Sequence, residues 1–215
     1  MKEHIFKRAE ELAEVLDLEE SQVKKIKENL ESEFRHGDTD IFAVAGAIDH
    51  TCLSFSAGRK EIVNLCLEAD KYNLKAVCVN PLWVRKVHEE RDRLGGDFLI
   101  ATVVDFPLGA STEAARVAET EQALIDGADE IDLVISIGLI KSRKIKECYD
   151  LVKCVGDVGG YLKVILETSA MEIEEKIDAA LISVFAGARM LKTSTGVNGK
   201  ASVEDVGLLR TIAGN

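Results

Sequence analysis

The feature that most constrains the fold is an alternation that begins near Ala43 and continues to the end of the sequence. Short runs rich in Val and Ile are each followed by an amphipathic segment of about 12 to 15 residues. Strand and helix in strict alternation predict parallel strands joined by right-handed crossovers, and therefore an α/β protein. The predicted strands are 45–51, 76–80, 99–106, 130–137, 163–168 and 190–195, and the predicted helices include 59–73, 111–126, 145–158 and 173–186.

Two helices are predicted ahead of this alternation. The first covers residues 3–16, and Asp17, with Glu20 three residues later, has the pattern of a capping box that would begin the second. The second helix would run from about residue 18 to residue 34 and end at 36–39. The sequence therefore predicts an N-terminal helical extension over 1–40 and a (β/α) barrel domain over 41–215.

The alternation alone leaves two architectures open, a doubly wound open sheet and a (β/α) barrel. A dinucleotide-binding open sheet should carry G-x-G-x-x-G after its first strand, and none follows residues 49–53. In a barrel, alternate residues of each strand face the axis, whereas strands of open parallel sheets are usually apolar on both faces. Here one parity of five strands is polar and the other is mostly apolar, which favours a TIM-barrel-type fold with a functional interior. The polar set comprises Asp49, Thr51, Cys78, Asn80, Asp132, Ser136, Lys163, Glu167, Lys192 and Ser194.

The charge balance argues against nucleic acid as the main partner. The 215 residues carry a net charge of −11, whereas binding to a phosphate backbone requires a basic face. No apolar run approaches the roughly 20 residues that span a bilayer, and residues 1–8 lack the apolar segment of a secretory signal. We therefore expect a cytoplasmic protein that binds neither nucleic acid nor membrane. A small anionic substrate stays compatible with a local basic pocket.

Neither the cysteines nor the histidines have the spacing of a metal site. The five cysteines form no C-x-x-C pair, and the four histidines are scattered along the chain. The cysteines fit reduced thiols of a cytosolic protein. His50 adjoins a candidate site residue, but its position in the strand turns it to the opposite face. No metal is expected.

Two lysines within predicted strands indicate amine chemistry. An amine that is desolvated beside another cation is more often neutral, because both effects disfavour the ammonium, and a neutral amine can attack a carbonyl to form a Schiff base. Lys163 and Lys192 fit this pair, and Asp132 supplies a carboxylate for proton transfer. Taken alone, Lys163 at the start of its strand is better explained as a lysine that extends to solvent, and Asp132 as a salt-bridge partner. Lys192 lies deeper in its strand and is harder to explain in that way.

The segment Thr193-Ser-Thr-Gly196 follows Lys192 and has donors for an anion. Its backbone N–H and hydroxyl groups could form a turn at the end of a strand that binds a negatively charged group. On the motif alone, a plain transition from strand to loop is favoured. A Walker A loop is excluded, because no glycine precedes Lys192 and the segment 196–200 is too short.

Six motifs in order resemble those of the deoxyribose-phosphate aldolase family, a class I aldolase family on a TIM barrel. The resemblance covers about residues 47 to 215. The motifs are Ile48-Asp-His-Thr51, Ala76-Val-Cys-Val-Asn-Pro81, Val104-Asp-Phe-Pro-Leu-Gly109, Gly127-Ala-Asp-Glu-Ile-Asp132, Lys163-Val-Ile-Leu-Glu-Thr168 and Lys192-Thr-Ser-Thr-Gly196.

The resemblance implies a reaction and a role for each candidate residue. The reaction is the reversible cleavage of 2-deoxyribose 5-phosphate to glyceraldehyde 3-phosphate and acetaldehyde, in deoxyribonucleotide catabolism, with no metal and no organic cofactor. By resemblance, Lys163 would form the Schiff base, Lys192 would be the cation that tunes it, and Asp132 would transfer protons. The residues expected to bind the small-molecule aldehyde or sugar phosphate are Asp49, Thr51, Cys78, Thr195 and Gly196.

The resemblance also implies two strands that this sequence lacks. Members of the family continue with a seventh and an eighth strand, whereas about 175 residues at about 29 per β/α unit give six units of the usual eight. We expect exposed edges at the first and sixth strands, and tight association into a homo-oligomer. Because the loops after strands seven and eight build the phosphate site of such barrels, poor use of the 5-phosphate is also expected.

Two alternatives to full aldolase activity stay open at this point. One is a non-catalytic homologue that acts as an assembly or regulatory subunit, which the two missing units favour. The other is a Schiff-base lyase that acts on a non-phosphorylated aldehyde. The lysine pair and Asp132 favour catalysis over the first of these.

Overall fold

The computed structural model describes residues 1–32 and 41–214 and contains all six predicted strands. They are β1 (Asp49–Cys52), β2 (Ala76–Val79), β3 (Leu99–Val104), β4 (Glu130–Val134), β5 (Tyr161–Ile165) and β6 (Met190–Lys192). The strand order in the sheet is the chain order. The pairs β1–β2, β2–β3 and β5–β6 are parallel, as the alternation predicts.

Helices precede the first strand and follow every strand. They are α1 (Lys2–Leu16), α2 (Glu20–Glu31), α3 (Ile41–Ala45), α4 (Arg59–Tyr72), α5 (Val84–Leu94), α6 (Glu113–Ile125), α7 (Ile137–Lys141), α8 (Ile145–Val158), α9 (Ile173–Phe185) and α10 (Val203–Ala213), with short 3₁₀ turns at Pro81–Trp83 and Thr168–Ala170. None of the helices in the described ranges is long and apolar enough to cross a membrane. The five cysteines are free thiols.

Several predicted boundaries are wrong, and the backbone conformation explains them. β3 and β5 end before the predicted residues because Asp105 and Glu167 have left-handed backbones, with φ of 55° and 54°. Asp17, predicted to begin α2, instead has φ 55° and ends α1, and the residue before α2 is Glu19. The predicted end of the second helix at 34–39 lies outside the described residues.

The chain divides into two compact units. One unit contains residues 36–104 and 114–132, and the other contains residues 1–35, 105–113 and 133–215. We call them the β1–β3 unit and the β5–β6 unit. The predicted division into 1–40 and 41–215 is a division by sequence, and it stays a prediction.

The β1–β3 unit has an apolar core behind its strands. Ile62 of α4, Val77 and Val79 of β2, and Ile100 of β3 are fully buried. Val77 is paired with Ile100 in the sheet, so these side chains lie on one face of neighbouring strands. Apolar residues on that face leave the opposite parity of β1 and β2 for polar groups.

The β5–β6 unit contains a buried acid that joins helices. Asp178 of α9 is 1% exposed. It accepts two hydrogen bonds from Arg8 of α1, at 2.6 Å and 3.0 Å, and one at 3.0 Å from Arg143, between α7 and α8. The hydrogen bonds from Arg8 to Asp178 raise the pKa of Arg8 above its ordinary value, although burial acts in the opposite direction. Helix α1 is therefore joined to α9 by the buried ion pair between Arg8 and Asp178.

Candidate active site

The register of β5 and β6 brings the two lysines to one face of the sheet. Lys163 is paired with Met190, and Ile165 is paired with Lys192. Lys163 and Ile165 share a parity, and paired residues of parallel strands point to the same side. Lys192 therefore lies on the Lys163 face, two residues or about 6.6 Å nearer the carboxyl end of the strands. The predicted common face of the two lysines is confirmed.

The two lysines differ in burial. Lys163 is 0% exposed in the middle of β5. Lys192 is the last residue of β6 and is partly exposed. Enzyme sites of parallel β/α proteins form at the carboxyl ends of the strands. Both amines therefore lie on the face that leads to the carboxyl ends of β5 and β6, with Lys163 the more deeply buried.

Glu167 lies at the same carboxyl end, directly after β5. It is 1% exposed. Its Oε2 accepts hydrogen bonds from the Thr195 N–H at 3.1 Å and from the Thr195 hydroxyl. The Ser169 hydroxyl donates to Oε1 at 3.3 Å. Strand parity put Glu167 on the lysine face, but nothing local in the sequence indicates a partner 28 residues away.

Thr195 and Gly196, predicted to bind substrate, lie in the loop that follows Lys192. The Thr195 hydroxyl accepts from the Val197 N–H at 3.1 Å, and Gly196 has φ 78°, which suits a residue without a Cβ. Thr195 is partly exposed and Gly196 is exposed. Within this unit, the structure brings together Lys163, Lys192 and this loop.

In the β1–β3 unit, Asp49, Thr51 and Cys78 share a face, as predicted. Thr51 is paired with Cys78, and Asp49 lies two residues before Thr51 on the same parity. His50 is on the other face, where its ring contacts Glu68 of α4 at 2.7 Å. This confirms that His50 points away from the candidate residues.

These three residues are not equivalent in position. Cys78 is buried, whereas Thr51 is exposed. Asp49 is the first residue of β1, at the amino end, and its carboxylate lies 4.0 Å from Lys75. Lys75 also pairs with Glu130 at 3.0 Å. Asp49 therefore has a structural ion pair available in addition to any role with substrate.

Asp132, the predicted proton-transfer acid, is in the middle of β4. It is 0% exposed, and its neighbours Ile131 and Leu133 are also fully buried. A buried carboxylate in a strand is unusual in a purely structural core. Among the described residues, no group of three or more His, Cys, Asp or Glu side chains is arranged to hold a metal ion.

Comparison with known proteins shows the family of this chain. A family model described as "DeoC/LacD family aldolase" matches residues 43–207. A deoxyribose-phosphate aldolase from Brevibacillus brevis is 43% identical over 172 residues, which is 78% of this chain and 76% of the relative. One from Thermotoga maritima is 40% identical over 199 residues, 91% of this chain and 79% of the relative. The chain belongs to the DeoC/LacD aldolase family and is an enzyme, a lyase of the aldolase type.

Solved structures agree with this assignment. "QR15, an Aldolase" has a TM-score of 0.74 at 31% identity and covers 79% of this chain and 76% of its own. A deoxyribose phosphate aldolase from Aeropyrum pernix, described as a unique tetrameric structure, has a TM-score of 0.71 at 30% identity and covers 80% and 73%. The prediction of a TIM-barrel-type (β/α) fold with six β/α units after N-terminal helices is confirmed.

Proposed function

We propose that the chain cleaves 2-deoxy-D-ribose 5-phosphate reversibly to glyceraldehyde 3-phosphate and acetaldehyde through a lysine Schiff base. The observation that carries the proposal is the register that puts Lys163 and Lys192 on one face of β5 and β6. Relatives at about 40% identity that are named deoxyribose-phosphate aldolase support the substrate. A non-catalytic subunit is not favoured, because these relatives are named as enzymes.

We take Lys163 as the nucleophile and Lys192 as the neighbouring cation, as the family motifs imply. Lys163 is 0% exposed, and Lys192 lies two residues nearer the carboxyl end of the strands on the same face. Burial and a neighbouring cation both favour the neutral, nucleophilic form of an amine.

The reaction follows from an amine in this position. The Lys163 amine adds to the C1 aldehyde of the open-chain sugar, and loss of water from the carbinolamine gives an iminium. Removal of the C3 hydroxyl proton then breaks the C2–C3 bond. The electron pair moves into the iminium, leaving an enamine and releasing glyceraldehyde 3-phosphate. Protonation of the enamine carbon and addition of water release acetaldehyde and restore the amine.

The other candidate residues have supporting roles in the proposal. Asp132 transfers protons during dehydration and C–C bond cleavage. Thr195 and Gly196 belong to the loop that binds the anionic end of the substrate, with Gly196 supplying a backbone donor. Asp49, Thr51 and Cys78 line the pocket for the aldehyde. No cofactor is needed for this chemistry.

Adduct trapping tests the nucleophile. The protein is incubated with acetaldehyde and sodium borohydride, digested, and searched by mass spectrometry for a reduced ethyl adduct on a lysine. We expect the adduct on Lys163. Lys163→Met should abolish it and lower turnover at least about 1,000-fold, whereas Lys192→Met should slow both by about 10- to 100-fold. The exposed Lys146→Met is the control and should leave both unchanged.

The outcomes separate the two lysines and the proposal itself. An adduct on Lys192 that survives in Lys163→Met would reverse the roles of the two lysines. No adduct on either lysine would overturn the Schiff-base mechanism. An adduct without cleavage of the phosphorylated sugar, together with cleavage of 2-deoxyribose, would instead identify a lyase for a non-phosphorylated aldehyde.

Assembly and cellular role belong to the same proposal. The tetrameric relative from Aeropyrum pernix supports a homo-oligomer, and the substrate implies a place in deoxyribonucleotide catabolism in the cytoplasm. Sedimentation velocity over a range of protein concentrations tests the assembly. A single monomeric species at every concentration would contradict it.

A further inference from the structure

We propose that Glu167 is a positioning residue of the aldolase site. Its carboxylate holds the loop 193–197, and thereby fixes the place where this loop receives the phosphorylated part of the substrate. The inference rests on the proposed function, because it takes Lys163 as the nucleophile and the loop with Thr195 and Gly196 as the loop that binds substrate. Glu167 itself need not contact substrate.

The backbone of Glu167 is the first observation. Its φ of 54° and ψ of 56° place it in the left-handed region, where a residue with a Cβ costs about 1–2 kcal/mol. Glutamate has no local preference for this conformation, unlike glycine or asparagine. The conformation persists because the surroundings hold it, and it brings the carboxylate to the loop of the next strand.

The distribution of hydrogen bonds over the two carboxylate oxygens is the second observation. Oε2 takes both donors of Thr195, which is 28 residues away, whereas Oε1 takes only the nearby Ser169 hydroxyl. Within residues 1–32 and 41–214, no ion pair involves this carboxylate. Glu167 is therefore held by neutral donors, and most of its bonding capacity is directed to the loop after Lys192.

Backbone hydrogen bonds join the segment around Glu167 to the end of β6 and the start of the loop. The Leu166 N–H donates to the Lys192 carbonyl at 2.9 Å, and the Thr168 N–H donates to the Thr193 carbonyl at 2.8 Å. These bonds lie on either side of Glu167. The Glu167 carboxylate thus continues the hydrogen bonding between these two segments beyond the ends of β5 and β6, through a side chain instead of the backbone.

Close packing further along the loop leaves little freedom. A Cβ at Gly199 would lie 1.8 Å from the Ser169 hydroxyl oxygen and 3.2 Å from Glu167 Oε1. The segment 195–199 therefore lies directly on the turn Thr168–Ala170. Because the Thr195 hydroxyl donates to Glu167, its lone pairs remain for the Val197 N–H. Loss of the carboxylate removes the acceptor that orients this hydroxyl.

A neutral side chain cannot fully replace the carboxylate. A carboxylate oxygen can accept from the N–H and the hydroxyl together, and charge-assisted bonds are roughly twice as strong as neutral ones. Glu167→Gln keeps one acceptor oxygen, so it should retain part of the function. Glu167→Gly removes the acceptor and also removes the cost of the left-handed backbone, so it should fold without the strain of an alanine at this site.

The experiment compares two reactions of the same protein. Acetaldehyde trapping requires the Lys163 amine and no phosphate, whereas cleavage of 2-deoxyribose 5-phosphate also requires the loop. For Glu167→Gly we expect trapping within about threefold of wild type, and KM for the phosphorylated sugar raised by about 10-fold or more. The KM of Glu167→Gln should fall between those of Glu167→Gly and wild type. The KM of Thr195→Val should be close to that of Glu167→Gly, and combining the two substitutions should raise KM little further.

Ser169→Ala is the matched control, because it removes the other hydrogen bond of the same carboxylate. We expect its KM to stay within about twofold of wild type. Far-UV circular dichroism and the urea midpoint show that each variant is folded. A KM for Glu167→Gly equal to that of Ser169→Ala, or trapping reduced as much as cleavage, would overturn the positioning role while the proposed function stands. A wild-type protein that forms no adduct on Lys163 would overturn both.

Discussion

Two acids of the β5–β6 unit are buried to the same extent and bonded in opposite ways. Glu167 and Asp178 are each 1% exposed. Asp178 is neutralised by the guanidinium groups of Arg8 and Arg143, whereas the donors to Glu167 are hydroxyl and backbone N–H groups. Equal burial therefore does not mean equal function.

The difference indicates where each acid acts. A buried carboxylate that is paired with cations joins elements, and its removal leaves uncompensated charge. A carboxylate that is held by neutral donors can fix a loop without placing further cations beside the lysine face. We infer that variants of Asp178 should change mainly stability, and that variants of Glu167 should change mainly kinetics.

The largest expected effect is on stability, from Asp178→Ala. Because both arginines would lose their partner, we expect the free energy of unfolding to fall by about 3–5 kcal/mol. Turnover per folded molecule should stay unchanged, since the partners Arg8 and Arg143 belong to α1 and to the connection between α7 and α8, not to the candidate site. Urea unfolding and kinetics on the same samples check this. If Glu167→Gly lost as much stability as Asp178→Ala, the contrast between the two acids would be broken.

The two arginines that bind Asp178 are not equivalent. Arg8 makes two hydrogen bonds to Asp178 and its side chain is 27% exposed, whereas Arg143 makes one and its side chain is 58% exposed. Arg8→Ala should therefore cost more than Arg143→Ala, by about 1 kcal/mol. The opposite order would show that Arg143 is the principal partner.

An intermediate effect is expected from Asp105→Ala. Asp105 follows β3 with φ 55° and accepts from the Ala110 N–H at 3.1 Å and from Ser111, whose hydroxyl is at 2.7 Å. These partners are five and six residues away, so their loss should loosen this loop. We expect a loss of about 1–3 kcal/mol in unfolding free energy. Asp105→Asn, which tolerates the left-handed backbone, should lose less.

A smaller, pH-dependent effect is expected from Asp205 of α10. Burial raises its pKa, but the hydrogen bond from Lys176 at 2.7 Å and further donors lower it below its ordinary value of 3.8. A carboxyl with a lowered folded-state pKa stabilises the fold above its unfolded pKa, and this contribution is lost as the pH falls through the folded pKa. Asp205→Asn should therefore be about 1–2 kcal/mol less stable at pH 7, with the difference closing below about pH 3.8.

Unfolding midpoints between pH 2.5 and pH 7 measure this difference. A stability difference between wild type and Asp205→Asn that stays constant over the whole pH range would show that Asp205 acts through packing instead of charge. Lys176→Met should give a loss with the same pH dependence, because it removes the principal donor.

The smallest effect is expected from an exposed pair. Lys146 donates to Asp150 at 2.6 Å on the surface of α8, where both side chains are about half exposed. Lys146→Met should change the free energy of unfolding by less than about 0.5 kcal/mol. A larger change would indicate that exposure is a poor guide to the value of the buried pairs as well.

Most of the fold could be predicted from the sequence. Apolar periodicity located all six strands and the helices α4, α6, α8 and α9, because burial on one face requires a regular spacing. The ends of β3 and β5 could not be predicted, since Asp105 and Glu167 are held in a left-handed backbone by contacts, not by residue type. Asp17 was assigned to the wrong helix, because aspartate suits both a cap and a left-handed turn.

The candidate site was predictable only in part. Strand parity put Lys163 and Lys192 on one face, and the register confirmed this. The difference in burial between them depends on which end of the strand meets solvent, and parity carries no such information. The bond from Thr195 to Glu167 joins residues 28 positions apart, so only the folded chain shows it.

The register of β6 also determines which of its side chains lie on the lysine face. Ile165 is paired with Lys192, so a shift by one residue would present Leu191 or Thr193 on the lysine face instead. Insertions and deletions between α9 and β6 should thus be selected against far more strongly than substitutions there. The length of this connection, including Gly187 with its φ of 99°, therefore fixes which residues of β6 can take part in the chemistry.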